Sequence, residues 1–112
     1  MSSAPDPATT AELNLIPTND RSLVEVTLAG ELDMTAAFKL EPEVERLLAG
    51  RDVRRFVVDL AAVTFVDSAG LGTLLAMRHR SQDLGIEFAL VNASAPVRRM
   101  LELSGTSSML AD

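Results

Sequence analysis

Apolar and polar positions alternate in two early stretches of the chain. Leu13 and Leu15 alternate with polar neighbours up to Pro17, which predicts a short strand at a sheet edge. Thr18-Asn19-Asp20 carries turn chemistry. From Leu23 to Ala29, Val24, Val26 and Leu28 point one way and Leu23, Glu25 and Thr27 the other, the pattern of a half-buried strand. These two strands are expected to pair as a hairpin. The period then changes. Leu40, Val44, Leu47 and Leu48 recur at helical spacing, and Ala49-Gly50 reads as a C-cap. Pro42 is expected to shorten or kink that helix. Phe56-Val57-Val58-Asp59-Leu60 is a nearly continuous apolar run, as in an interior strand covered on both faces. A second helix is predicted from about Ser68 to Gln82, with Leu71, Leu74 and Leu75 on its core stripe and Met77 and Arg80 exposed as candidate contacts. Ile86 to Val91 forms another buried strand. Ser94-Ala95-Pro96 opens a third helix, with Val97, Met100 and Leu101 inward and Ser104-Gly105 closing it.

The order β-β-α-β-α-β-α predicts an α/β domain. Its sheet is mixed but mostly parallel, with an N-terminal antiparallel hairpin and helices packed against it. Met1 to Thr10 is small, polar and holds Pro5 and Pro7, so a disordered tail over 1–10 is expected to precede one domain over 11–112. Thr106 to Asp112 reads equally as a short strand or a fraying end.

Composition narrows the chemistry. With 112 residues, 47% of them hydrophobic and 23% charged, the chain has the make-up of one globular domain rather than a disordered one. No cysteine is present, which excludes disulfides, thiolate metal sites and a cysteine nucleophile. The single His79 lies in Arg78-His79-Arg80, reads as a surface residue and makes a histidine metal site improbable. No cofactor is called for. No apolar run approaches the ~18 residues of a membrane span, and MSSAPDPATT lacks the regions of a signal peptide. A cytoplasmic protein is expected, with neither membrane nor nucleic acid as partner, because the formal charge is −6. That charge is uneven. Residues 1–49 hold nine acids and three bases, whereas residues 50–112 hold seven of each sign. It reads either as a solvated surface or as an acidic face that steers a basic partner protein.

The unusual stretch is Phe65-Val66-Asp67-Ser68-Ala69-Gly70-Leu71-Gly72. Two glycines in the first turns of a helix each cost about 1 kcal/mol relative to alanine. Compensation is expected from close approach of another backbone, or from N–H groups offered to a ligand or partner. Ser68 stands where an N-cap would stand. A nucleophile elbow fails, since glycine would be needed at Val66 and the only histidine lies eleven residues along the same helix, about 16 Å away. A phosphate-binding loop fails too, because Gly70-Leu71-Gly72-Thr73 lacks the required lysine and spacing. Two readings stay open for Ser68: a plain N-cap, or a phosphoacceptor whose phosphate the helix dipole would tolerate.

Asp67-Ser68-Ala69-Gly70-Leu71-Gly72, preceded by Val57-Val58-Asp59-Leu60 and by Gly30-Glu31-Leu32-Asp33, resembles the anti-sigma factor antagonists of bacteria, whose fold is the STAS domain. The likeness runs from about Leu13 to Leu110 and includes Ser104-Gly105. It implies partner switching. The unphosphorylated antagonist binds an anti-sigma factor that is also a Ser/Thr kinase using ATP, and so frees a sigma factor. Phosphorylation of the residue matching Ser68 separates the pair, and a Ser/Thr phosphatase resets it. Asp33, Asp67, Ser68, Ala69, Gly70 and Gly72 match the motif positions and would form the partner-binding surface, with Asp33 on the neighbouring loop. Ala69 departs from the family, which often has Ser or Thr there. The chain also stops soon after Met109-Leu110, where relatives complete a last strand and a further helix. Either the C-terminus is trimmed here or one sheet edge is expected to be barer than usual, which would invite strand addition or a weak homodimer. The competing readings are a STAS scaffold or adaptor inside a signalling or transport assembly, without phospho-switching, and an enzyme. The isolated His79 and the absence of an acid–base pair disfavour the enzyme.

Overall fold

In the computed structural model, described for residues 10–49 and 52–111, the alternating stretch after the first turn becomes an interior strand of the sheet. The elements are β1 (Glu12–Ile16), β2 (Leu23–Leu32), α1 (Met34–Leu48), β3 (Arg55–Val66), α2 (Ser68–Asp83), β4 (Glu87–Val91) and α3 (Ala95–Leu103), followed by a 3-10 turn at Ser107–Met109. The sheet order is β1-β2-β3-β4, antiparallel between β1 and β2 and parallel thereafter. Each parallel crossover steps the same way across the sheet. Right-handed crossovers of that kind place successive helices on one face.

Packing follows from register. Val24 pairs with Phe56 and Phe56 with Phe88, while Val26 pairs with Val58 and Val58 with Leu90. This face meets Leu40, Val44, Leu74, Met77, Val97 and Leu101 from the three helices in one cluster. The Phe56 and Phe88 rings meet edge to face at 5.6 Å. Burying each such side chain contributes roughly 1.5–3 kcal/mol. The alternate set, Glu25, Thr27 and Asp59, is only half-buried, and Val57 lies outside that cluster. Val57 and its β4 partner Ala89 are nevertheless buried, so the apolar run of β3 belongs to an interior strand covered on both faces, as expected, with the larger core cluster on one of them.

Other expectations fare differently. Pro42 does not end α1, which continues unbroken to Leu48. Ala36 and Leu40 before the proline and Val44 and Leu48 after it are all buried, whereas Pro42 itself is exposed, so the unpaired backbone faces solvent. Ala49 is the C-cap, donating its N–H to the Glu45 carbonyl; Gly50 lies outside the described residues. In α2 the buried stripe is Gly70, Leu74, Met77 and Ser81, while Leu71 and Leu75 are half-buried. Met77 is therefore a core residue, not an exposed contact; spacing of three from Leu74 and four from Ser81 keeps it on the inward face. Arg80 is exposed and ion-paired. At the C-terminal end Leu110 makes an isolated parallel bridge to Leu90, and the Ala111 N–H donates to the Leu90 carbonyl at 2.9 Å. Of the expected tail, residues 1–9 lie outside the described residues, and Thr10 bridges to Glu31.

Candidate functional site

The parallel strands β2 and β3 end side by side, with Leu32 paired to Val66. Each is followed by one aspartate and then a helix, which sets the starts of α1 and α2 next to each other. The Asp33 carboxylate accepts from the Ala36 N–H at 2.9 Å, and the Asp67 carboxylate accepts from the Gly70 N–H at 2.8 Å. Both aspartates are N-caps in extended backbone. Each satisfies one of the donors that a helix start leaves unpaired.

Two sequence expectations change here. Ser68 is not the cap. Asp67 holds that position, so Ser68 becomes the first residue of α2, exposed, with no hydrogen bond from its hydroxyl among the described residues. Asp33 is not a free loop residue either, because α1 begins directly after it. Aspartate caps at least as well as serine, and Asp-x-x-Ala at Asp33 and Asp-x-x-Gly at Asp67 were available signals for both starts.

The glycines divide by role. A Cβ on Gly70 would lie 1.9 Å from the Leu32 carbonyl oxygen, so α2 can approach the end of β2 only with glycine there. The Asp67 N–H donates to that same carbonyl at 3.3 Å. Gly70 is buried beneath the helix, and packing accounts for it. A Cβ on Gly72 would meet nothing within 4 Å, and Gly72 opens onto the surface. Gly30 has φ 117°, a backbone region that favours glycine, at the point where β2 and β3 slip register.

Beside the paired helix starts runs a groove of about 580 Å3 between α1 and α2. Ala69 and Gly72 line it from α2, with Thr73 and Ala76 below them. Met34 and Phe38 line it from α1, and both are largely exposed, at 62% and 77%. Sequence reasoning missed these two. They lie off the Leu40-Val44 stripe, and only their apolar character at polar-face positions hinted at a surface role. Farther along, Arg80 donates to Glu45 at 2.6 Å, and that contact with Glu45 raises the Arg80 pKa. His79 is exposed on the groove wall. Among the described residues no group of three or more His, Asp or Glu side chains is placed to hold a metal.

The site thus joins Asp33, Asp67, Ser68, Ala69 and Gly72 on one end of the molecule, at the C-terminal ends of parallel strands, the place where α/β sheets present their working surfaces. With that geometry in hand, the chain can be placed. It belongs to the STAS domain family, whose model matches residues 15–111. A relative from Paenibacillus polymyxa named anti-sigma F factor antagonist is 31% identical over 85 residues, covering 76% of this chain and 73% of the relative. An anti-sigma factor antagonist from Mycobacterium paratuberculosis superposes with TM-score 0.73 at 29% identity, covering 98% of this chain and 88% of that one. The anti-sigma factor antagonist SpoIIAA superposes in its unphosphorylated form with TM-score 0.77 at 24% identity, covering 90% and 87% of the two chains. Its phosphorylated form from Bacillus gives 0.70 at 23%, covering 90% of each. At that identity the SpoIIAA likeness speaks for the fold alone. No helix among the described residues is long and apolar enough to cross a membrane.

Proposed function

We propose that this chain is an anti-sigma factor antagonist switched by phosphorylation of Ser68. The observation that carries the reading is the placement of the Ser68 hydroxyl: exposed at the start of α2, and released from capping by Asp67. The relatives named as anti-sigma factor antagonists support it. In the unmodified state the surface around Asp33, Asp67, Ser68, Ala69 and Gly72 binds an anti-sigma factor that is also a Ser/Thr kinase, and a sigma factor is set free. The kinase then transfers the terminal phosphoryl group of ATP to the Ser68 oxygen. The O–H proton leaves, an O–P bond forms and ADP departs. A Ser/Thr phosphatase hydrolyses that bond and restores the binding form. The chain itself works in the cytoplasm by being bound and modified, with no catalysis and no cofactor of its own.

Electrostatics explains why one group suffices. Phosphoserine adds about −1.5 to −2 charges. At the first helical position that charge meets the positive end of the α2 dipole, so the fold tolerates it. At an interface it must be desolvated beside the Asp67 carboxylate, with Asp33 at the neighbouring helix start. A loss of ~3 kcal/mol lowers affinity more than a hundredfold. The test is a titration of the purified kinase partner against Ser68→Ala and Ser68→Asp. The alanine variant should bind like the parent and the aspartate variant at least about a hundredfold more weakly. Equal binding by both would remove the switch and leave an adaptor.

A further inference from the structure

Phe38 is the most exposed large apolar side chain among the described residues, and it lies on the wall of the α1–α2 groove beside Met34. Across from them α2 presents Gly72 and Ala76, side chains too small to fill the space. A ridge of large residues facing a small-residue trough leaves room for a third element to lie along both helices. Its chemistry is constrained. α1 and α2 satisfy their own backbone, so they offer an entering segment no ladder to pair with. An extended strand would leave its N–H and C=O groups unpaired against them, whereas a helix arrives with its own bonds made. From Met34 to Glu45 the groove follows α1 for about 16 Å, roughly three helical turns.

Charge sets the second requirement. Toward the far end the lining holds three carboxylates, Glu41, Glu45 and Asp83, against one guanidinium, Arg80, which is engaged by Glu45. An entering helix must therefore be basic where it passes Glu41 and Asp83. The near end is continuous with Ala69, one residue from the Ser68 hydroxyl.

We propose that this groove seats an amphipathic helix of the binding partner, apolar against Phe38 and Gly72 and carrying Lys or Arg opposite Glu41 and Asp83. The inference rests on the antagonist reading, in that the partner is the anti-sigma kinase. It adds which element of that partner docks here and which residues of this chain hold it.

The full chain and the purified kinase of the same organism test it by calorimetric titration. Gly72→Leu fills the trough, and Phe38→Ala removes an anchor that is 77% exposed and so not needed for folding. Each should weaken binding by at least about tenfold, and Glu41→Lys should do the same. Circular dichroism melts verify that each variant is folded; if Gly72→Leu is not, the other two still decide. A benzoylphenylalanine photo-crosslinker at position 38 should then join a partner segment whose sequence alternates apolar and basic residues at helical spacing. Parent-like affinity in the groove variants, with Ser68→Asp still abolishing binding, would overturn the groove and keep the switch. Crosslinking to a second copy of this chain, or to a non-helical partner segment, would overturn it as well. Weakened groove variants together with equal binding of Ser68→Ala and Ser68→Asp would keep the groove and remove the switch. A parent chain that binds no such kinase would overturn both.

Discussion

Asp33 and Asp67 perform the same local task at neighbouring helix starts, and that makes their stability role separable from a charge role. Replacing Asp67 by Ala removes its bond to the Gly70 N–H and should cost about 1 kcal/mol in a urea titration. Asp67→Asn keeps an equally good cap and should stay near the parent. Any change in partner affinity in the asparagine variant then reports the charge. The two glycines that follow give an opposed pair. Gly70→Ala drives a methyl group into the Leu32 carbonyl, a backbone atom that cannot yield, and should destabilise by about 3 kcal/mol. Gly72→Ala meets open space and should stabilise by up to about 1 kcal/mol through helix propensity. The sequence alone shows that two glycines at a helix start need compensation, but it does not separate them. That depends on the Leu32 carbonyl, which only the parallel pairing of β2 and β3 brings beneath Gly70. At the hairpin turn, Asp20 accepts from the Ser22 hydroxyl at 2.7 Å and from its N–H at 2.9 Å, and these bonds lower its pKa. A depressed carboxyl contributes stability above its unfolded-state pKa and loses it as pH falls through the folded-state value. Asp20→Asn should therefore flatten that small part of the acid dependence, seen by comparing urea midpoints at neutral and acid pH.

At the level of elements, periodicity was legible wherever it was regular and misled where it was not. β1, β4 and α3 lie close to their expected positions, because alternation or a Pro-opened helix marks them. β3 runs six residues beyond its expected end at Leu60, to Val66. Its buried positions there are Leu60, Val63 and Val66, three apart, a spacing no regular strand can bury on one face. The strand manages it by slipping register twice against β2, around Thr27/Ala29 and Gly30/Glu31. The Asp59 carboxylate supports the first slip by accepting from the Ala61 N–H at 2.8 Å, while its other oxygen accepts from the Asn92 amide at 3.0 Å. Two bulges cannot be read from a hydropathy pattern without the partner strand. α1 is not shortened by Pro42, for a different reason. An interior proline costs a helix about 3 kcal/mol in isolation, but burial of Ala36, Leu40, Val44 and Leu48 on either side outweighs it. Pro42→Ala should accordingly stabilise the protein by about 1–3 kcal/mol, by restoring a backbone bond without touching the core. An unchanged or lowered urea midpoint would show that α1 is already relaxed around the ring.

For the whole molecule, the proposed switch requires a charge that breaks a complex and leaves the fold alone. Most of the formal negative charge falls on β1, β2, α1 and their turns: Glu12, Asp20, Glu25, Glu31, Asp33, Glu41, Glu43 and Glu45 precede the second half of the chain. Only Lys39 with Glu12 and Arg80 with Glu45 form ion pairs on this side among the described residues. The molecule therefore carries a net field over one flank, with Ser68 at its border where α2 starts beside α1. Such a field steers a basic partner toward the surface and is screened over about 10 Å at 0.1 M salt. Raising the salt from low to moderate should slow association with the proposed kinase partner several-fold while changing the dissociation rate little, as stopped-flow mixing would read. A phosphate at Ser68 sits in that field but outside the core, since Ser68 is exposed and the buried cluster begins with Val66 and Leu74 on either side of it. Its repulsion from Asp67 is opposed by the α2 dipole, a favourable term of about 0.3–1 kcal/mol. The dipole offsets part of that repulsion within the chain, whereas at an interface the phosphate must in addition be desolvated. Ser68→Asp should thus melt within a few degrees of the parent, and its amide shifts should move at the starts of α1 and α2 and along the groove only. A lowered melting point, or shifts spread through β3 and β4, would mean that the modification acts by loosening the domain and not by blocking its surface.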